Sequence, residues 1–267
     1  MSQSKEEHKH FLNDADMSKE AKDLIALVKA KTPFVFLTGK AGTGKTTLLK
    51  NLYDQYKEKA VKLAPTGVAA LNIDGQTIHS FFKFPPRMFD PRDVADRRPN
   101  SVIKKMELLI IDEISMVRAD LLDNIDQTLR IWRRIELPFG GVQMLVVGDL
   151  FQLPPIIHRG DEKEIFHRRY DSTWFFKADI FKQVTITGVE LKETYRQKDE
   201  EFIEVLDHLR LGRDTKSAID WLNESCFKDR SEDDTNITLV TTNKDADFHN
   251  SEKYDSINGS EIVYEGL

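Results

Sequence analysis

Gly39-Lys40-Ala41-Gly42-Thr43-Gly44-Lys45-Thr46 is the stretch that decides the fold. It satisfies G-x-x-x-x-G-K-[ST] at every fixed position. It also lies between an apolar run, Phe34–Leu37, and a helical pattern running from Thr46 to Tyr56. Glycines let backbone N–H groups converge on phosphate oxygens that a side chain would obstruct. The following helix N-terminus adds partial positive charge. In this setting Lys45 reaches for β- and γ-phosphates, and the Thr46 hydroxyl is a ligand for Mg²⁺. The candidate nucleotide-binding residues are Gly39, Lys40, Ala41, Gly42, Thr43, Gly44, Lys45, Thr46 and Thr47. A glycine-rich turn with no ligand is the plain alternative, and it does not explain strand, loop and helix falling in register.

Working outward, two more short apolar runs recur, Leu108–Ile111 and Met144–Val147. Runs of this length suit parallel strands buried on both faces. The first ends in Asp112-Glu113, two carboxylates that a sheet presents at its C-terminal edge beside the phosphate loop. Asp112 is the candidate Mg²⁺ residue and Glu113 the candidate base for an attacking water. The second ends in Gly148-Asp149-Leu150-Phe151-Gln152, where the Gln152 amide could report on a γ-phosphate. Weaker strand candidates are Val61–Ala64, Val184–Val189 and Ile237–Val240.

Helical spacing appears at Ala21/Leu24/Ile25/Val28, across Ala119–Arg134, and at Phe202/Val205/Leu206/Leu209 with Gly212 as a C-terminal cap. Alternating strands and helices predict an α/β fold with a parallel sheet covered on both faces. Residues 83–100, with four prolines, and residues 158–173 read as excursions from that core. Trp132, Trp174 and Trp221 are expected to pack in cores.

Composition narrows the class. The 267 residues carry a net charge of −6, and about 45% are apolar once glycine is counted, so whole-chain disorder is excluded. No apolar run approaches the ~18 residues of a membrane span, and the polar start is no secretory signal. A lone cysteine, Cys226, excludes a disulfide framework. The expectation is an intracellular protein with no membrane partner. Charge is unevenly spread: residues 199–267 carry a net −11 and residues 1–198 a net +5. Residues 83–105 hold seven cations, Arg97 and Arg98 among them, so a polyanion could bind the N-terminal part.

Ala64-Pro65-Thr66-Gly67-Val68-Ala69-Ala70, trailed by Thr77-Ile78-His79-Ser80-Phe81-Phe82, is the discriminating segment. Together with Ile111-Asp112-Glu113-Ile114-Ser115-Met116-Val117, Gly148-Asp149 through Gln152-Leu153-Pro154-Pro155, and Tyr195-Arg196-Gln197, it resembles the superfamily 1B DNA helicases of the petite-integration-frequency type, relatives of the RecD-like enzymes. The resemblance spans about Ala21 to Asn250. It implies a RecA-like ATPase domain over residues 18–227, with 83–105 as a small inserted wedge. Residues 1–17 read as a polar segment and 228–236 as a linker by composition, and the resemblance makes 237–267 the start of a second RecA-like domain.

It further implies ATP and Mg²⁺ as ligands and Arg196 as a γ-phosphate contact. Pro65, Thr66, Gly67, His79, Phe81, Arg97 and Arg98 become candidate contacts to single-stranded or forked DNA. The implied activity is ATP-driven 5′→3′ unwinding by a monomer in DNA repair, recombination or telomere maintenance. Physically, a small Pro-Thr-Gly turn lets backbone approach a sugar-phosphate chain, and aromatic rings stack on bases without reading sequence. Core packing is the competing expectation for the phenylalanines. Met17–Ala21, where such helicases often carry an adenine-reading glutamine, has none. Because the resemblance stops early in the second domain, this chain is expected to bind ATP and single-stranded DNA but not to unwind alone. The alternative is a nucleotide- and DNA-binding module with little turnover.

Overall fold

The structure, a computed structural model, describes residues 17–90, 92, 101–157, 161–193, 199–227, 237–260 and 262–263. Most of the expected N-terminal segment, the expected linker 228–236, and Arg97, Arg98 and Arg196 lie outside the described residues.

The chain runs through α1 (Lys19–Lys29), β1 (Phe34–Gly39), α2 (Lys45–Tyr56), β2 (Ala60–Ala64), α3 (Gly67–Asn72), β3 (Gln76–Thr77), α4 (Ile78–Phe82), α5 (Ser101–Lys105) and β4 (Leu108–Ile111). It continues through α6 (Ala119–Arg133), β5 (Gln143–Val147), α7 (Asp161–His167), β6 (Thr187–Leu191), α8 (Glu200–Leu211), α9 (Thr215–Cys226) and α10 (Asn243–Asp255). The six strands form one sheet in the order β3-β2-β4-β5-β1-β6, every pairing parallel. This is the expected α/β architecture.

The apolar runs explain why both faces are covered. Side chains alternate across a strand. Phe34, Leu109, Ile111, Met144 and Val146 therefore join one core with α4, α5 and α6. Val35, Leu37, Leu108, Ile110, Leu145 and Val147 join another with α1 and α2. Polar residues finish the frame. The Gln143 amide donates to the carbonyls of Val28 (3.2 Å) and Thr32 (3.0 Å), which ties β5 to the end of α1. On α6, Arg133 donates to the carbonyls of Gly140 (2.7 Å) and Met106 (3.0 Å) and to that of Ile103.

Several expectations need correction. The strand expected at Val184–Val189 is Thr187–Leu191; Val184 closes a helical turn on Ile180 and is buried by packing instead of by sheet pairing. The sequence 158–173 is no simple excursion, because Phe166 and Tyr170 return to the main core. Tyr170 donates to buried Asp123 on α6 at 2.7 Å. Likewise the described parts of 83–105 place Phe84 and Ile103 in that core. Ile237–Val240 is not a strand. Ile237 and Leu239 are 92% and 93% exposed, and no strand pairs with them among the described residues.

Contacts within the chain group it into two units, divided between Thr215 and Lys216, earlier than the expected 227. In the second unit, Thr242 caps α10 by accepting from the Asp245 N–H at 3.2 Å. Among the described residues no helix is long and apolar enough to cross a membrane.

Phe82 is fully buried, with Phe81 edge-on at 5.0 Å and Phe84 stacked at 5.0 Å. Phe82→Ala should therefore cost about 3–5 kcal/mol of stability through the cavity left behind. A urea midpoint unchanged by this substitution would contradict the packing.

Candidate functional site

The loop from Gly39 to Lys45 leaves the C-terminal end of β1. Gly39 has φ +150°, and a Cβ there would meet the Leu191 carbonyl oxygen at 2.6 Å and Thr43 Oγ1 at 2.9 Å. No larger residue fits where β6 passes this close. Gly44 enters α2 at φ 83°, a left-handed conformation that favours glycine. Thr43 donates to the Lys40 carbonyl at 3.0 Å and holds the loop closed. Lys45 Nζ folds back onto the carbonyls of Gly39 (2.8 Å) and Lys40 (2.9 Å).

Three strand ends converge on that ammonium. β5 lies between β1 and β4, so Asp149 is placed between Lys45 and the Asp112-Glu113 pair. The sequence allows this close approach because Gly148 has no side chain. A Cβ there would meet Ile114 Cγ2 at 3.0 Å and the Ile114 N at 3.1 Å. The Glu113 N–H donates to Asp112 Oδ1 at 3.0 Å. Glu113 itself is left-handed at φ 52°, a conformation costly for a residue with a side chain and found at working sites.

Burial governs the charges. It pushes the Lys45 ammonium down, against the pull of Asp149, Glu113 and Asp112. It pushes the Asp112 carboxyl up. Glu113 is raised by burial and then by the neighbouring Asp112 charge. For Asp149 burial also acts upward, yet the Arg210 hydrogen bond and charge hold it below the ordinary carboxylate range.

A cleft of about 610 Å³ opens over this cluster. It gathers Ala41, Gly42, Thr43, Gly44, Lys45, Thr46 and Thr47 with Asp112, Glu113 and Gln152. Gly39 is buried beneath the loop, and Lys40 is drawn to Asp207 on α8 by an ion pair. The Thr46 hydroxyl and the Asp112 carboxylate are hard oxygen donors of the kind Mg²⁺ prefers, on a cleft wide enough for phosphates. Among the described residues there is no cluster of three His, Cys, Asp or Glu able to hold a metal alone.

Asp149, Asp207 and Arg210 escaped the sequence reading. An acid ending the third strand was a usable signal for Asp149. Nothing local marked the two α8 residues, because their partners lie 167 and 61 positions away.

Pro65, Thr66, Gly67 and His79 lie at the same sheet edge. β2 and β3 are parallel neighbours with Ala64 opposite Thr77, so the turns at 65–67 and 78–80 emerge side by side. Thr66 caps α3 by accepting from the Ala69 N–H (3.2 Å), and Thr77 caps α4 by accepting from the Ser80 N–H (3.2 Å). Gly67 is exposed, while Pro65 and His79 are half-buried. Burial, then the Arg118 charge, keeps the His79 imidazole below its usual pKa. Phe81 does not join this surface: it is 7% exposed and its ring packs into the core. Apolar packing wins there over the base stacking expected from sequence.

A family profile described as PIF1-like helicase matches residues 15–219. The chain is 35% identical to the ATP-dependent DNA helicase PIF1 of Candida albicans, covering 87% of this chain and 27% of that protein. It is 31% identical to the ATP-dependent DNA helicase Pif1 of Bdellovibrio bacteriovorus, covering 96% and 57%. Its structure is similar to that of a Bacteroides Pif1 helicase in complex with ADP-AlF3 and single-stranded DNA. That match has a TM-score of 0.82 at 40% identity, over 93% of this chain and 59% of the other. The chain thus spans roughly a quarter to three-fifths of the length of these relatives.

Because Glu113 titrates above its ordinary value, the folded protein keeps that proton to a higher pH than the unfolded chain. Stability is therefore lost as pH rises above the unfolded-state value of the carboxyl. Glu113→Gln should raise the melting temperature at pH 7, by about 2–4 °C per kcal/mol relieved. The gain should vanish near about pH 4, where the carboxyl is largely protonated in both states. A lowered melting temperature at pH 7, or an equal gain at both pH values, would refute this reading.

Proposed function

The chain belongs to the PIF1-like helicase family, and on that premise we propose that it is the ATPase part of a DNA helicase, hydrolysing ATP to move along single-stranded DNA. The observation that carries this reading is the convergence of Lys45, Asp112, Glu113 and Gln152 on one cleft at the edge from which the turns at 65–67 and 78–80 also emerge.

ATP enters with its β- and γ-phosphates over the loop. Lys45 leaves the two carbonyls it now holds and takes phosphate oxygens in their place. Glu113, whose pKa is raised by burial and by Asp112, accepts the proton of a water aimed at the γ-phosphorus. The water oxygen bonds to phosphorus as the bond to the β–γ bridging oxygen breaks. ADP and phosphate leave, and the proton passes from Glu113 to solvent. Gln152 orients that water or the γ-phosphate. Thr46 and Asp112 would hold Mg²⁺, which supplies charge to offset the β- and γ-phosphate oxygens. Arg196, outside the described residues, is assigned to the γ-phosphate by the family resemblance.

DNA is proposed to lie across Pro65, Thr66, Gly67 and His79, with Arg97 and Arg98 adding phosphate contacts. The exposed Gly67 backbone can approach a sugar-phosphate chain, and a neutral His79 ring can stack on a base. The 5′→3′ direction and action at forks follow from the family resemblance.

ATP hydrolysis with and without oligo-dT tests the proposal. DNA should stimulate turnover, and Lys45→Ala should abolish it. Glu113→Gln should keep nucleotide binding yet lose roughly 10²–10⁴ in rate. Wild-type turnover in the Gln variant removes Glu113 from the base role, and ATP binding without any hydrolysis favours the binding-module alternative. DNA affinity should fall steeply with salt. Replacing Arg97 and Arg98 by Ala should reduce that slope by up to about 1.4 if both meet phosphates.

A further inference from the structure

Helix α8 buries one side chain, Val205, yet it is joined to the nucleotide cleft by two ion pairs. Asp207 and Arg210, three residues apart, share a helix face. Asp207 pairs with Lys40 of the phosphate loop. Arg210 grips Asp149 with two bonds, Nη2 to Oδ1 at 2.9 Å and Nε to Oδ2 at 3.2 Å. The two side chains are 16% and 3% exposed, so water and salt screen this pair far less than a surface one. The same guanidinium lies 4.4 Å from the centre of the Phe151 ring.

Arg210 therefore clamps both sides of one tight turn. Within it the Phe151 N–H donates to Asp149 Oδ1 at 3.1 Å, and the Gln152 N–H donates to the Asp149 carbonyl at 3.0 Å. The next side chain out of the turn is Gln152, which is exposed and borders the cleft. A long, mobile amide recognises a phosphate only if its backbone is fixed; Leu150 packs the inner side of this turn against the main core, and Arg210 holds its charged side.

We propose that Arg210 is a positioning residue for γ-phosphate recognition: by holding Asp149 and Phe151 it fixes the turn that aims Gln152 into the nucleotide cleft. This rests on the nucleotide reading above. It makes α8 the element through which the presence of a γ-phosphate is felt outside the cleft. Arg210 itself touches no substrate.

The test compares affinity for ADP with affinity for ADP plus aluminium fluoride, a γ-phosphate mimic, by calorimetry in Mg²⁺ buffer. In the wild type aluminium fluoride should tighten binding. Arg210→Ala should bind ADP alone within about threefold of wild type while losing roughly ten- to a hundredfold of the added tightening, the worth of a charge-assisted hydrogen bond. Gln152→Ala should lose a similar factor, and the double variant should lose no more than either single one. Arg210→Lys, which keeps the charge but not the two-pronged grip, should fall between.

Three results overturn the proposal: full tightening in Arg210→Ala, equal weakening of ADP and ADP–aluminium fluoride, or losses that multiply in the double variant. If Arg210→Ala melts early, Arg210→Gln, which keeps more of the side chain but neither the charge nor the two-pronged grip, supplies the same comparison. A wild-type chain that binds no ADP defeats the nucleotide reading first, and this inference with it.

Discussion

One ammonium group among three carboxylates is the constraint on which this structure turns. Lys45 lies in the field of Asp149, Glu113 and Asp112, at a depth where burial raises two of those acids and lowers the lysine itself. Buried charges persist only where opposite charges lie within reach. The strand order brings Lys45 and the acids together, since β5 inserts between the strand that leads to the lysine and the strand that ends in the acids, and Arg210 neutralises Asp149. The glycines at 39 and 148 are the local cost of bringing three strand ends so close. With phosphate present the balance shifts, because the ammonium gains a partner stronger than the two carbonyls it now holds.

The sheet that carries this cluster is held from both sides by the same residues read alternately. Each central strand sends every second side chain into each core, so a one-residue slip would exchange the contents of the two faces. That double constraint fixes the register in which Asp112 and Asp149 reach the edge. A buried hydrogen bond from Gln143 and part-buried ones from Arg133 then fasten the helices that cover it.

Much of this was legible in the sequence because its causes are local. The phosphate loop declares itself through glycine and lysine spacing, and β1, β4 and β5 through short unbroken apolar runs. Misreadings arose where a distant partner decided the outcome. Val184 looked like the start of a strand but is buried by packing, and Ile237–Val240 looked like a strand but has no strand to pair with among the described residues. Phe81 carries the same motif in core or interface, and only the neighbouring rings of Phe82 and Phe84 assign it to the core. The grip of Arg210 on Asp149 spans 61 residues, and no spacing rule reports it.

The two cores meet through shared strands, whereas α8 is attached mainly by charge, and these attachments differ in kind. Opening β1, β4 or β5 exposes apolar surface on both faces at once, so their amide protons should exchange with solvent only when the whole sheet unfolds. Releasing α8 exposes Val205, the half-buried Phe202, Ile203 and Leu209, and two ion pairs. Its amides should exchange by a local opening whose frequency rises with ionic strength while that of the sheet stays level. The molecule thus sets a sheet buried on both faces beside a helix whose release would free first the turn that carries Gln152.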